Sequence, residues 1–173
     1  MKGSIALCVK DLVTEKFGKE KWDEVIKNAG LTREPLLTLL TDLDDKVMMD
    51  IINSVSKTLN LNMNQVSDAF GEYWVCNFAP KYYSRYMEGL KSAKDMLLAM
   101  DNVHVKVTQN IQNAHPPRFE YNWVNDKTLV MKYKSSRGLI DLLVGLVKGV
   151  GKHFKENISV RKLNPTEVEV KFY

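Results

Sequence analysis

The chain has 173 residues, 45% hydrophobic and 27% charged, a composition that fits one globular domain with a sizeable core. A net charge of +4, with no basic run interleaved with aromatics, argues against nucleic acid as a partner. No apolar run approaches the ~20 residues of a membrane span. Lys10 and Asp11 interrupt the apolar MKGSIALCVKDLV start and no cleavage site follows, so the expected location is cytoplasmic, away from membranes.

Ile5, Leu7, Cys8, Val9, Leu12, Val13 and Phe17 predict a first helix ended by Gly18. Trp22, Val25, Ile26 and Ala29 predict a second, short helix closed by Gly30. Leu31 to Leu43 reads as a connector in which Pro35 can start a short helical turn. Asp44 and Asp45 place negative charge at the start of a helix from Val47 to Leu59, where the dipole favours it. Asn62, with Gln65 three residues on, caps a helix through Val66, Phe70, Trp74 and Phe78 that Pro80 ends. Phe70, Trp74 and Phe78 share one face, either as ordinary core or as the wall of a flat aromatic cofactor. Tyr82, Tyr83 and Tyr86 precede a break at Gly89.

Met96, Met100, Val103, Val107 and Ile111 recur at three- and four-residue steps, the pattern of an amphipathic helix. His104 lies on that stripe, so its imidazole points where the apolar side chains point. Such a ring is either a core histidine bonded to a carbonyl or a metal ligand. After Pro116-Pro117 the period becomes two. Phe119, Tyr121 and Trp123 alternate with polar residues, a turn falls at Asn125-Asp126, and Leu129, Met131 and Tyr133 continue as the hairpin partner. Arg137 to Phe154 is helical again, followed by strands from Ile158 to Leu163 and from Glu167 to Tyr173 around Asn164-Pro165. The expectation is one α+β domain over 1–173, with a helical part over about 1–112 and an α/β part over about 113–173 carrying an antiparallel sheet of about four strands.

Only Cys8 and Cys76 are present, which excludes a four-thiolate zinc site from this chain alone and predicts two separate thiols. No Cys-x-x-Cys-His occurs, which excludes covalent attachment of a c-type haem. His115, before the prolines, and His153, near a helix end, are not spaced with His104 as a metal cluster. Tyr133, Ser135 and Arg137 stand at two-residue spacing where a strand gives way to a helix. On an extended backbone they share one face, three hydrogen-bond donors suited either to carboxylates or to water.

Tyr133-Lys134-Ser135-Ser136-Arg137 also matches the Tyr-x-Ser-x-Arg motif of H-NOX domains, the haem nitric oxide/oxygen-binding family related to the haem domain of soluble guanylate cyclase. The chain resembles a stand-alone bacterial member along essentially its whole length. The MKG start, Phe70-Gly71, Asp101-x-x-His104, Pro116-Pro117-Arg118, the motif and Gly145-Leu146 occur in the family's order and spacing.

The resemblance implies a b-type haem between the helical part and the α/β part, with His104 as proximal iron ligand beside Met100. It gives the propionates to Tyr133, Ser135 and Arg137, and the out-of-plane distortion of the macrocycle to Pro117 and Ile5. The distal pocket would be Val9, Trp74, Phe78, Leu142 and Leu146; oxygen-binding members carry a distal tyrosine where this chain has Leu142. Bound O2 gains from a nearby donor whereas NO needs little such help, so the expectation is a sensor that binds NO and CO and excludes O2. NO would release His104, and the shape change would pass to a histidine kinase or to a diguanylate cyclase/phosphodiesterase. The alternative is an O2-binding haem protein or a haem enzyme. No phosphate loop or nucleophile–base pair is present to suggest catalysis.

Overall fold

In the computed structural model, which describes residues 2–112 and 114–173, the chain divides into two compact units, Met1–Val66 and Ser67–Tyr173. Met1 of the MKG start and Asn113, near the expected boundary, lie outside the described residues. The first unit is helical. Helix α1 (Ser4–Phe17) stops at Gly18, whose φ of 90° is a conformation that side chains rarely adopt, and α2 (Lys19–Asn28) begins at once. Helix α3 (Asp45–Thr58) is capped by Asp44, whose carboxylate accepts the Lys46 N–H at 2.8 Å. Ala6, Cys8, Leu12 and Val13 of α1, Trp22 and Val25 of α2 and Met48, Ile51 and Val55 of α3 supply the buried apolar faces.

The connector from 31 to 43 makes no helical turn at Pro35, contrary to the sequence reading. Its polar groups bond to the helices instead. Glu34 accepts from Trp22 Nε1 at 2.9 Å and from Lys10 Nζ at 2.6 Å, and the Thr41 carbonyl accepts the Gly3 N–H at 2.7 Å.

The capping box is made as its two residues predict: Asn62 N–H donates to Gln65 Oε1 at 2.9 Å and Gln65 N–H to Asn62 Oδ1 at 3.0 Å. Helix α4 (Met63–Tyr73) runs into a single π-helical turn (Trp74–Phe78) and then α5 (Ala79–Tyr82). Pro80 therefore does not end the helix. Within the wider turn the Ala79 N–H reaches back to the Trp74 carbonyl, and this shift of the ladder makes room for the proline ring. Helix α6 (Ala93–Thr108) begins at Ser92 and stops short of Ile111, which falls in the following turn.

Strands β1 (Arg118–Asn125), β2 (Thr128–Lys134), β3 (Ile158–Asn164) and β4 (Glu167–Phe172) form the expected antiparallel sheet in the order β1-β2-β4-β3. The class is α+β. Helix α7 (Ile140–Phe154) starts three residues later than its pattern suggests, after Gly138 at φ 65°. Leu143, Val147 and Val150 pack with Leu129, Met131, Val168 and Val170 as the core of the second unit. Against α4 the same helix presents glycine. A Cβ on Gly145 would run into the Ser67 carbonyl, and one on Gly149 into the carbonyl of Gly71. The ion pairs Lys148–Asp68, at 2.8 Å, and Lys152–Glu72 accompany this contact. Among the described residues no helix is long and apolar enough to cross a membrane.

Backbone cannot yield as a side chain would, so Gly145→Ala is expected to destabilise the fold by about 3 kcal/mol. Urea unfolding of the variant checks this; a midpoint equal to that of the parent would contradict the contact.

Candidate functional site

The site grows from the pairing of α6 with β1. The start of α6 is doubly held: Ser92 Oγ accepts the Asp95 N–H at 3.0 Å, and Glu156 Oε1 accepts the Ala93 N–H at 3.1 Å. Its first half is anchored by Ala93, Met96 and Leu97; no residue of the second half is fully buried. The Asp101 carboxylate ties that half to the sheet. Asp101 accepts a fork from Arg118 (Nε to Oδ1 at 2.8 Å, Nη2 to Oδ2 at 2.7 Å) and also the Phe119 N–H at 2.8 Å. Arg118 is the main cause, with the Phe119 amide in support, that holds the Asp101 carboxyl down to about 2.

One turn beyond Asp101, His104 faces Phe119, ring centroids 5.5 Å apart, and Phe119 in turn faces Tyr133 at 6.1 Å. Burial pushes the imidazole pKa down, although the Asp101 charge and the Pro117 carbonyl pull it up. The ring is therefore neutral at pH 7, with a lone pair to give. Its Nδ1 is buried and makes no hydrogen bond. An unpaired polar atom in such a place costs about 1–3 kcal/mol unless something binds the ring. A group that takes up this imidazole fits the residues present. Among the described residues no cluster of three or more His, Cys, Asp or Glu could hold a bare metal ion.

Tyr133, Ser135 and Arg137 do not lie on one extended run, as the spacing suggests. Strand β2 ends at Lys134, and Ser135 Oγ accepts the Arg137 N–H at 3.3 Å as the backbone turns. Arg137 Nη1 donates to the His115 carbonyl at 2.7 Å, which binds the motif to the loop leading into Pro116-Pro117. Tyr133 is buried and pairs across the sheet with Phe119. The aromatic face is real: Trp74 lies 5.0 Å from Phe78, 5.6 Å from Phe70 and 6.1 Å from Tyr83. Trp74, Met100 and Leu146 border the core of this unit; Leu142 is buried on α7. Ile5, half-buried, and Val9, buried, lie on α1 in the first unit. Burial pushes the thiols of Cys8 and Cys76 up, so neither is a nucleophilic thiolate at neutral pH.

Sequence reasoning passed over the work of Asp101 and Phe119. A signal for the first was present: Asp101 is one helical turn from His104 and precedes an arginine just after the prolines.

The family model described as haem-NO-binding matches residues 2–162. A soluble guanylate cyclase, gcy-32 of Caenorhabditis elegans, is 25% identical over 88% of this chain, which spans 23% of that protein. Two solved structures are each 29% identical over 99% of this chain. One is a Cs H-NOX mutant with the unnatural amino acid 4-cyano-L-phenylalanine (96% of that chain, TM-score 0.86). The other is an oxygen-binding H-NOX domain related to soluble guanylate cyclases, in its oxygen complex (95% of that chain, TM-score 0.83).

A depressed folded-state pKa at Asp101 contributes stability that is present above the unfolded value of about 3.9 and lost as pH falls through the folded one. Asp101→Asn should therefore lower the urea midpoint at neutral pH and flatten the fall in stability between about pH 4 and pH 2. Parallel acid profiles for the two proteins would contradict the clamp.

Proposed function

The chain belongs to the haem-NO-binding (H-NOX) family, whose members bind haem and sense gases rather than catalyse, and from that premise we propose that it is a sensor of nitric oxide that excludes O2. The haem is the non-covalent b type, and CO is a second ligand. The observation that carries NO over O2 is Leu142 on α7, at the position where the resemblance puts a tyrosine in oxygen-binding members, with Leu146 one turn on. Trp74 carries an indole N–H, and its ring is engaged in the stack with Phe70, Phe78 and Tyr83. Without a phenol at the Leu142 position that wall gives little to the partial charge of bound O2.

His104 holds the iron with its neutral imidazole, and the orphaned Nδ1 supports that assignment. Tyr133, Ser135 and Arg137 take the propionates, and Arg137 at the same time braces the loop before Pro117. Pro117, with its fixed ring, is a rigid wedge against the macrocycle. Ile5, its counterpart, and Val9, a distal wall, join the set on family likeness. Bound haem would supply a ferrous iron for a diatomic gas, with His104 as the protein group holding it. Were His104 released, the second half of α6, which has no fully buried side chain, would keep the Asp101 clamp and the Tyr121 hydroxyl as its ties to β1. That half is the two-state element a partner can read. The partner is a separate signalling protein, a histidine kinase or a diguanylate cyclase/phosphodiesterase.

A second reading, O2 binding, is favoured by the likeness to the oxygen complex. The ferrous protein in air decides between them: no stable oxy spectrum is expected, and one that persists would overturn the selectivity. Leu142→Tyr should add measurable O2 binding. His104→Gly should lose the five-coordinate ferrous spectrum until free imidazole is supplied; an unchanged spectrum without imidazole would remove His104 as the ligand.

A further inference from the structure

Three aromatics of β1 on one face of the sheet run along α6. Trp123 lies under Lys94, whose Nζ is 4.3 Å from the ring centroid; Tyr121 meets Leu97 and Asp101; Phe119 faces His104 at 5.5 Å. The periods match. Ten helical residues from Lys94 to His104 rise about 15 Å, and four strand residues from Trp123 to Phe119 cover about 14 Å. The middle contact differs in kind from the outer two. The Tyr121 hydroxyl donates to the Leu97 carbonyl at 2.8 Å and accepts the Asp101 N–H at 3.3 Å. Leu97 and Asp101 are four apart, so the phenol bridges the two backbone groups that an α-helix joins directly. A side chain inserted in the ladder is a recognised origin of bending.

The bridge falls at the boundary already seen in the packing of α6. Leu97 is the last fully buried residue of the helix, and Asp101 begins the turn that carries His104. We propose that Tyr121 is a positioning residue for His104: its hydroxyl loosens α6 between Leu97 and Asp101 and so sets the tilt and ease of movement of the turn that bears the proximal imidazole. This rests on the gas-sensor reading and adds a residue to it. Tyr121 touches neither the ring of His104 nor its orphaned nitrogen in any recorded bond; it acts through the backbone of α6.

Tyr121→Phe keeps the ring and removes only the hydroxyl, leaving Leu97 and Asp101 to close their own bond. Amide exchange of the haem-loaded ferrous–CO protein should show the Asp101 N–H about tenfold slower in the variant, with the first turn of α6 unchanged. A merely supporting hydroxyl predicts the opposite, faster exchange on its removal. In the ferrous protein the iron–histidine stretching band should shift, and a larger share of the NO adduct should keep its bond to His104. Exchange at Asp101 that is unchanged or faster, or a stretching band that does not move, overturns the proposal. A parent chain that takes up no haem, seen as a missing Soret band, fails the gas-sensor reading instead, and is told apart because the failure precedes any substitution.

Discussion

The carboxylate of Asp101 accepts the two-pronged guanidinium of Arg118 and the amide of Phe119 together, and through these bonds the helix bearing His104 keeps its place on the sheet. The arrangement suits a moving part. A helix half fixed by several buried aliphatic side chains would be costly to shift, because each would leave a cavity. One held by a charged cluster near the surface is well oriented yet can give way, since its polar groups find water when they part. The first half of α6, sealed by Ala93, Met96 and Leu97 and capped by Ser92 and Glu156, supplies the fixed base.

The other elements of the second unit provide rigidity around this part. Glycines 71, 145 and 149 bring the backbones of α4 and α7 into direct contact, so the helix with Leu142 and Leu146 lies tight against the one that leads to Trp74 and Phe78. The π-helical turn then lets the chain pass Pro80 without breaking and keeps Phe70, Trp74, Phe78 and Tyr83 in one stack. Under the proposed gas-sensor reading this close-packed wall is distal and the loosely held α6 proximal, so the ligand's effect would fall on the side able to respond.

Local rules served well wherever one side chain decides one backbone choice. Asn62 and Gln65 make their reciprocal cap, Asp44 starts α3, Gly18 separates two helices, and the alternation of Phe119, Tyr121 and Trp123 is that of β1. They failed where a distant contact overrode the local preference. Pro80 was expected to stop a helix, but the ladder had shifted one residue upstream. Pro35 was expected to begin a turn, but Trp22 and Lys10 claim the neighbouring Glu34. The even spacing of Tyr133, Ser135 and Arg137 suggested an extended run, whereas the backbone turns at Ser135 and sends Arg137 to the His115 carbonyl.

By itself the amino-acid order determined the α+β class, the helix carrying His104, the four strands and the family motif, because each of these is written in residue type and period along the chain. Tertiary structure alone decided that the His104 Nδ1 is buried and unpaired, that Phe119 faces the ring, that Asp101 ties α6 to β1, and that the Tyr121 hydroxyl bridges Leu97 and Asp101. Those facts join residues up to 24 positions apart. Hydrogen bonds and ring contacts of that span depend on how strand and helix meet in space, which no local period encodes.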